Sequence, residues 1–236
     1  MKKIISTLIL ILIVSPILFA QGMPDPKVAQ GENLKVPEGW EVRLDRPQEN
    51  LVISSDPDSG DIYFVNMTPG WHITTGPRAI FWHPENNVEG DYTVSTSIHL
   101  FDTKGRDREG FGLFFGGSDL KGDGQEYIYF LIRNTGDYLI KSRKGTETEN
   151  ITNWIASESI VKYKAGSEET ALNKLSVKVW ANTVDFYIND QMVMGVTTGD
   201  VSLTTDGLFG LRVNHAVNLH VEDLGMEEIV RITTEN

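Results

Sequence analysis

The feature that most constrains this chain is a two-residue alternation of side-chain character, repeated in short segments from Gly39 onward. WEVRLD, DIYFVN, YTVSTSIHLF, FGLFF, EYIYFLIRN, DYLIKS, LSVKVW, VDFYIND, LFGLRV and VNLHVEDL are all rich in β-branched and aromatic residues. Turn-forming stretches such as SDPDSGD, GGSDLKGDGQ, NTGD, IND and TTDG separate them. A period of two sends successive side chains to opposite faces of an extended strand, so each segment has two distinct faces. Ten or more such strands predict an all-β domain over residues 39–236, a two-sheet antiparallel sandwich or a barrel. Residues 153–171 interrupt the pattern and are the place for a long loop or a short helix.

The alternation also says which side chains travel together. Tyr127, Tyr129, Leu131 and Arg133 share one face of their segment, and Ile128, Phe130 and Ile132 share the other. Phe209, Leu211 and Val213 oppose Leu208, Arg212 and Asn214; Val217, Leu219 and Val221 oppose Asn218, His220 and Glu222. One face is thus wholly apolar and the other carries large polar and aromatic groups. That pattern suits a sandwich in which one sheet has a curved, wet outer face.

The N-terminus is of another kind. Lys2 and Lys3 precede an apolar run from Ile4 to Val14, and Leu18-Phe19-Ala20 ends in a small residue. This is the layout of a secretory signal, too short for a membrane span, with cleavage expected after Ala20. Residues 21–38, punctuated by Pro and Gly, read as an arm or linker. The protein is therefore expected to be secreted, periplasmic or at the cell surface, with no membrane insertion once the signal is cleaved. The chain has no Cys, so its stability outside the cell rests on a hydrophobic core alone. Without Lys2 and Lys3, 19 Lys+Arg stand against 33 Asp+Glu, a net charge of −14. Such a balance disfavours nucleic acid and anionic membranes as partners and is compatible with an oligo- or polysaccharide.

The order of segments, DYTVSTSIHL, FGLFFGG, EYIYFLIRNTGDYLIKSR, VDFYIND and GLFGLRVNHAVNLHVEDLGM, resembles the concanavalin A-like lectin/glucanase superfamily. Within it, the laminin G-like modules and the 3-keto-disaccharide hydrolase-like domains of secreted bacterial proteins are the nearest in kind. The resemblance spans roughly residues 60–225 and implies a jelly-roll β-sandwich that binds glycan on its concave sheet. It also implies two alternatives, a glycoside hydrolase of the 3-keto-disaccharide hydrolase type and a protein-binding adhesion module. Laminarinase-type enzymes carry Glu-x-Asp-x-x-Glu on one strand, and no such run occurs here. No catalytic residue is assigned; in a hydrolase, His99 or His220 would be the acid/base, with Glu126 or Glu222 assisting.

The candidate ligand-binding residues are His99, Tyr127, Tyr129, Arg133, Arg212, Asn214, His215 and His220, gathered on one curved sheet, together with Trp82. Guanidinium and amide groups match paired hydroxyls, and aromatic rings cover sugar faces. Solvated faces more often read Thr, Lys, Glu and Ser. Of the two Trp-His pairs, Trp71-His72 and Trp82-His83, one Trp is expected in the core and the other beside the wet face. A metal held by His72 and His83 would need both on the same side. No cofactor is implied apart from a structural Ca2+, for which Asp56, Asp58 and Asp61 in DPDSGD are candidate ligands. Asp119 and Asp123 form a weaker candidate, because Lys121 stands between them.

Overall fold

The computed structural model describes residues 34–201 and 204–230. The signal-like residues 1–20 lie outside them, as do residues 21–33 of the expected arm. In chain order the strands are β1 (Glu41–Leu44), β2 (Ile53–Ser54), β3 (Ile62–Asn66), β4 (Trp71–Thr75) and β5 (Ala79–Val88). They continue with β6 (Tyr92–Leu100), β7 (Gly110–Ser118), β8 (Glu126–Arg133), β9 (Asp137–Lys144), β10 (Glu147–Asn150) and β11 (Ile155–Ala156). The last five are β12 (Ala171–Trp180), β13 (Thr183–Ile188), β14 (Gln191–Thr197), β15 (Gly207–Val213) and β16 (Asn218–Glu228). Residues 157–170 are irregular, the long loop that the break in periodicity predicts.

These strands form two eight-stranded sheets. The first runs β1-β5-β15-β7-β8-β9-β10, with β11 also paired to β9; the second runs β14-β13-β12-β6-β16-β4-β3-β2. Pairing is antiparallel throughout apart from the short β2/β3 pair. Consecutive strands often change sheet. β4 and β5, β6 and β7, and β15 and β16 each have one member in either sheet. This crossing is what makes a jelly-roll sandwich from a chain of simple alternating strands.

The inner faces meet in a core of Phe81, Phe111, Phe115, Phe130 and Leu211 from the first sheet, with Val94, Ile98, Val177, Phe186 and Leu219 from the second. Phe130 of the first sheet lies 5.2 Å from Phe186 of the second and 6.1 Å from Tyr138, both edge to face. Those offset contacts are the favoured geometry for aromatic quadrupoles, and the Phe130–Phe186 contact ties the sheets together. The alternation within β8 and β15 is as the sequence predicts: Ile128, Phe130, Ile132, Phe209, Leu211 and Val213 all belong to this core. With no disulfide available, a cavity at the aromatic junction should be costly. Phe130→Ala is expected to lower the unfolding free energy by about 3–5 kcal/mol, read from urea titrations followed by circular dichroism. A loss below about 1 kcal/mol would mean that the Phe130–Phe186 contact does not hold the sheets together.

A candidate binding groove on the first sheet

The outer face of the first sheet is not a solvated one. Antiparallel register brings Tyr127 opposite Arg143, Tyr129 opposite Lys141 and Leu131 opposite Leu139. On the other side of β7, Arg212 and Gly210 stand beside Ile80 and Trp82 of β5. Ile80, Trp82, Phe114, Tyr127, Tyr129 and Leu131 form a second apolar cluster here, with Leu120 packed among them. Arg43 from β1 secures the loop that carries Leu120, donating to the carbonyls of Leu120 (2.9 Å) and Gly122 (2.6 Å).

At the edge of that cluster sits Asp45, just beyond β1. Both its oxygens accept from Arg212, Nη1 to Oδ1 and Nη2 to Oδ2, at 2.5 Å each. Arg143 Nη2 lies 3.3 Å from the same Oδ1. Arg212 is only 4% exposed, and its Cζ stands 5.4 Å from the ring centre of Tyr129. Burial pushes the Asp45 carboxyl upward, but the Arg212 hydrogen bond and the charges of Arg212, Arg143 and Arg78 outweigh it. The carboxyl ends below its usual range and stays ionised. Tyr129 moves the other way, pushed up to about 12 mainly by burial, and keeps its proton at neutral pH.

Around this cluster a groove opens in two joined parts. One, of about 370 Å³, is lined by Asp45, Arg78, Arg108, Glu109, Tyr129, Lys141, Arg143, Trp154, Arg212 and Asn214, among others. The other, of about 730 Å³, shares Asp45, Arg78, Arg143 and Thr146 with it and adds Arg46, Gln48 and His215. Trp154, half-buried, is seated above Gly110. A Cβ at that glycine would lie 3.1 Å from Trp154 Cη2, so the missing side chain lets the indole lie low on the sheet. Arg133 stacks on the same indole, its Cζ 4.1 Å from the ring centre, and is itself held by Asp137 at 3.0 Å.

The residues nominated from sequence divide between two places. Tyr129, Arg212, Asn214 and His215 line the groove, and Arg133 stands next to it on Trp154. Tyr127 and Trp82 share that face but are 1% and 2% exposed, so they form its floor and offer no surface for stacking. His99 and His220 lie on the opposite side of the molecule, on the outer face of the second sheet. The expectation that all these residues share one curved sheet is therefore corrected. The chain crosses between sheets at residues 214–217, and polar phases of β15 and β16 that look continuous in sequence face away from each other.

On that second face His72, His220 and His99 stand in one row across β4, β16 and β6. His72 Nε2 is 2.7 Å from Asn218 Oδ1, and His220 Nε2 is 2.8 Å from Glu222 Oε1. His99 Nδ1 meets Thr170 Oγ1 at 2.9 Å. His220 is 1% exposed and bonded to Glu222, whose Oε1 also lies 3.8 Å from His99 Nε2, and the Nδ1 atoms of His72 and His220 are buried with no hydrogen-bond partner. His83 belongs to the other sheet and packs against Trp40, so His72 and His83 cannot share an ion. Trp71 is half-buried against Trp40, at 4.8 Å, and Trp82 is the more buried of the pair.

The DPDSGD turn uses its carboxylates locally. Asp56 Oδ1 accepts from the Asp58 N–H and Asp61 Oδ2 from the Val52 N–H. Among the described residues, no three His, Asp or Glu side chains are grouped as a metal site would group them. The sequence reading missed Asp45, Arg78, Lys141, Arg143 and Trp154. A signal existed for two of these: in DYLIKSRK, Leu139, Lys141 and Arg143 alternate with Tyr138 and Ile140, which enter the core.

No family model matches the sequence, and no curated protein matches it significantly. Solved structures do match the fold. A carbohydrate-binding module, CBM66 from Bacillus subtilis, superposes with a TM-score of 0.55 at 13% identity, over 80% of this chain and 96% of that one. A Bacillus subtilis protein of unknown function with a galectin-like fold gives 0.55 at 11% identity, over 82% and 90%. At such identities the likeness is one of fold, the concanavalin A-like jelly-roll sandwich.

Two tests follow from this geometry. Asp45→Asn would leave two guanidiniums with no counter-charge and should cost about 3–5 kcal/mol in urea unfolding. A near-neutral result would show that solvent, and not Asp45, balances the arginines. His72 is the second case. Burial outweighs its hydrogen bond to Asn218 and holds it down at about 4, against an ordinary 6.5. The unfolded chain therefore binds the proton first as pH falls. The contribution of His72 is complete above pH 6.5 and is lost toward about pH 4. Between pH 7 and 5 this amounts to roughly 2 kcal/mol. His72→Gln should flatten the pH dependence of the urea midpoint by that amount; an unchanged slope would reject the assignment.

Proposed function

We propose that this protein binds carbohydrate in the groove on the outer face of the first sheet. The observation that carries the reading is the half-exposed Trp154 indole beside Tyr129, Asn214, Lys141 and Arg143 in one open groove. An indole covers the apolar C–H face of a pyranose, and amide, ammonium and guanidinium groups donate to its hydroxyls. Tyr127 and Trp82 contribute from beneath by making the floor rigid, which reduces the ordering cost of binding. A carbohydrate-binding module among the structures of similar fold supports the reading, as does the signal-like N-terminus, which would place the protein where extracellular glycans occur.

A direct test is to titrate the protein with neutral and acidic oligosaccharides while following tryptophan fluorescence. Saturable change with one sugar class is expected, and Trp154→Ala should weaken that affinity at least about tenfold, equivalent to about 1.4 kcal/mol. Silence across the panel in calorimetry as well as fluorescence would reject glycan binding and favour a protein partner for this face.

A further inference from the structure

The charge of the groove is opposite to that of the protein. Arg46, Arg78, Arg108, Lys141, Arg143 and Arg212 line its two parts, against only two carboxylates, Asp45 and Glu109. Six cations facing two anions leave a local charge of +4, in a chain whose net charge is −12. Neutral sugars give no reason for such a concentration, since like charges crowded on one sheet repel and must be held there by packing. The crowding is already visible at Lys141, whose ammonium is held below its usual range by burial and by the charges of Arg143 and Arg212.

The internal carboxylate does not balance this set. Asp45 is used from both oxygens by Arg212 and reached on one by Arg143. The Nε atoms of Arg143 and Arg212 are both buried and have no hydrogen-bond partner. Arg143 spends Nη1 on the Gly145 carbonyl at 3.2 Å, and Arg78 is exposed at the groove wall. Arg212–Asp45 already displays the two-pronged pairing that a guanidinium makes with a carboxylate.

Resting on the reading of this groove as a glycan site, we infer that its ligand is an acidic sugar, whose carboxylate or sulfate sits among Arg78, Lys141 and Arg143. Trp154 covers a ring of the same ligand, so the anion and the stacked face are recognised together. The acidic remainder of the protein repels polyanions elsewhere, which confines binding to the groove. The attraction there falls as salt screens it, over about 10 Å at 0.1 M ionic strength.

The test uses the protein with matched ligands in calorimetry: a galacturonate trimer, its methyl ester, a neutral galactose trimer and a sulfated galactose trimer, with a short single-stranded oligonucleotide alongside. An acidic trimer should bind at least tenfold more tightly than both neutral ones at low salt and lose most of that margin in 0.5 M NaCl. Preference between the uronate and the sulfate identifies which anion the groove takes. Arg78→Gln and Lys141→Gln, both at accessible positions, should each cost the acidic trimer five- to tenfold and narrow its margin over the neutral trimers. Circular dichroism confirms that they fold. Equal or tighter binding of the neutral trimers overturns the acidic preference while leaving glycan binding intact. Absence of binding by every sugar removes both readings, and tighter binding of the oligonucleotide overturns the sugar in favour of a phosphate chain.

Discussion

A single carboxylate organises the outer face of the first sheet. Asp45 leaves β1 at the point where β5 and β15 bring Arg212 alongside, and where β9 brings Arg143 from the far side of β8. A guanidinium as buried as Arg212 would be expelled or destabilising without such a partner, because desolvation of a charge costs several kcal/mol. Burial and partners act in opposite directions on Asp45, and the partners prevail. The result is a charged cluster fixed on a rigid aromatic floor, from which the groove takes both its shape and its sign.

The floor exists because this sheet is apolar on both sides. Phe130 and its neighbours fill the space between the sheets, and Tyr127, Trp82 and Phe114 fill a second layer under Leu120. Sheets of a simple sandwich have one buried and one wet face. Here the outer face is half-covered, and polar groups that emerge from it do so from a surface already dehydrated. Such groups interact more strongly with a ligand than the same groups on a fully solvated face. The second sheet is different: its His72–His220–His99 row is hydrogen-bonded to Asn218, Glu222 and Thr170 on its own face.

Glycine shapes the groove where an aromatic ring approaches the sheet. Gly110 has no side chain beneath Trp154, and Arg133, anchored by Asp137, lies against that indole. Trp154 itself comes from the irregular stretch between β10 and β11, a segment whose sequence carries no strand period. Nothing in its neighbourhood in the chain points to β7 or β8. Hydrogen bonds of Ile151 and Thr152 to Ile140 on one side, and the pairing of β11 with β9 on the other, return it to the sheet.

The alternation in the sequence was sufficient to determine the fold class, the inner and outer residues of β8, β15 and β16, and the aromatic character of the core. It is a local property: two residues apart means the same face, whatever the rest of the chain does. What it leaves open is which sheet a strand joins. Arg212 and His220 occupy equivalent polar phases eight positions apart, yet the turn between them carries the chain across the sandwich. Tertiary structure alone therefore decided that Arg212 meets Asp45, that Lys141 and Arg143 stand beside Tyr129 and Tyr127, and that His220 meets His72 and His99. Cross-strand register joins residues that are distant in the chain, and that distance hides a site from any reading of sequence period.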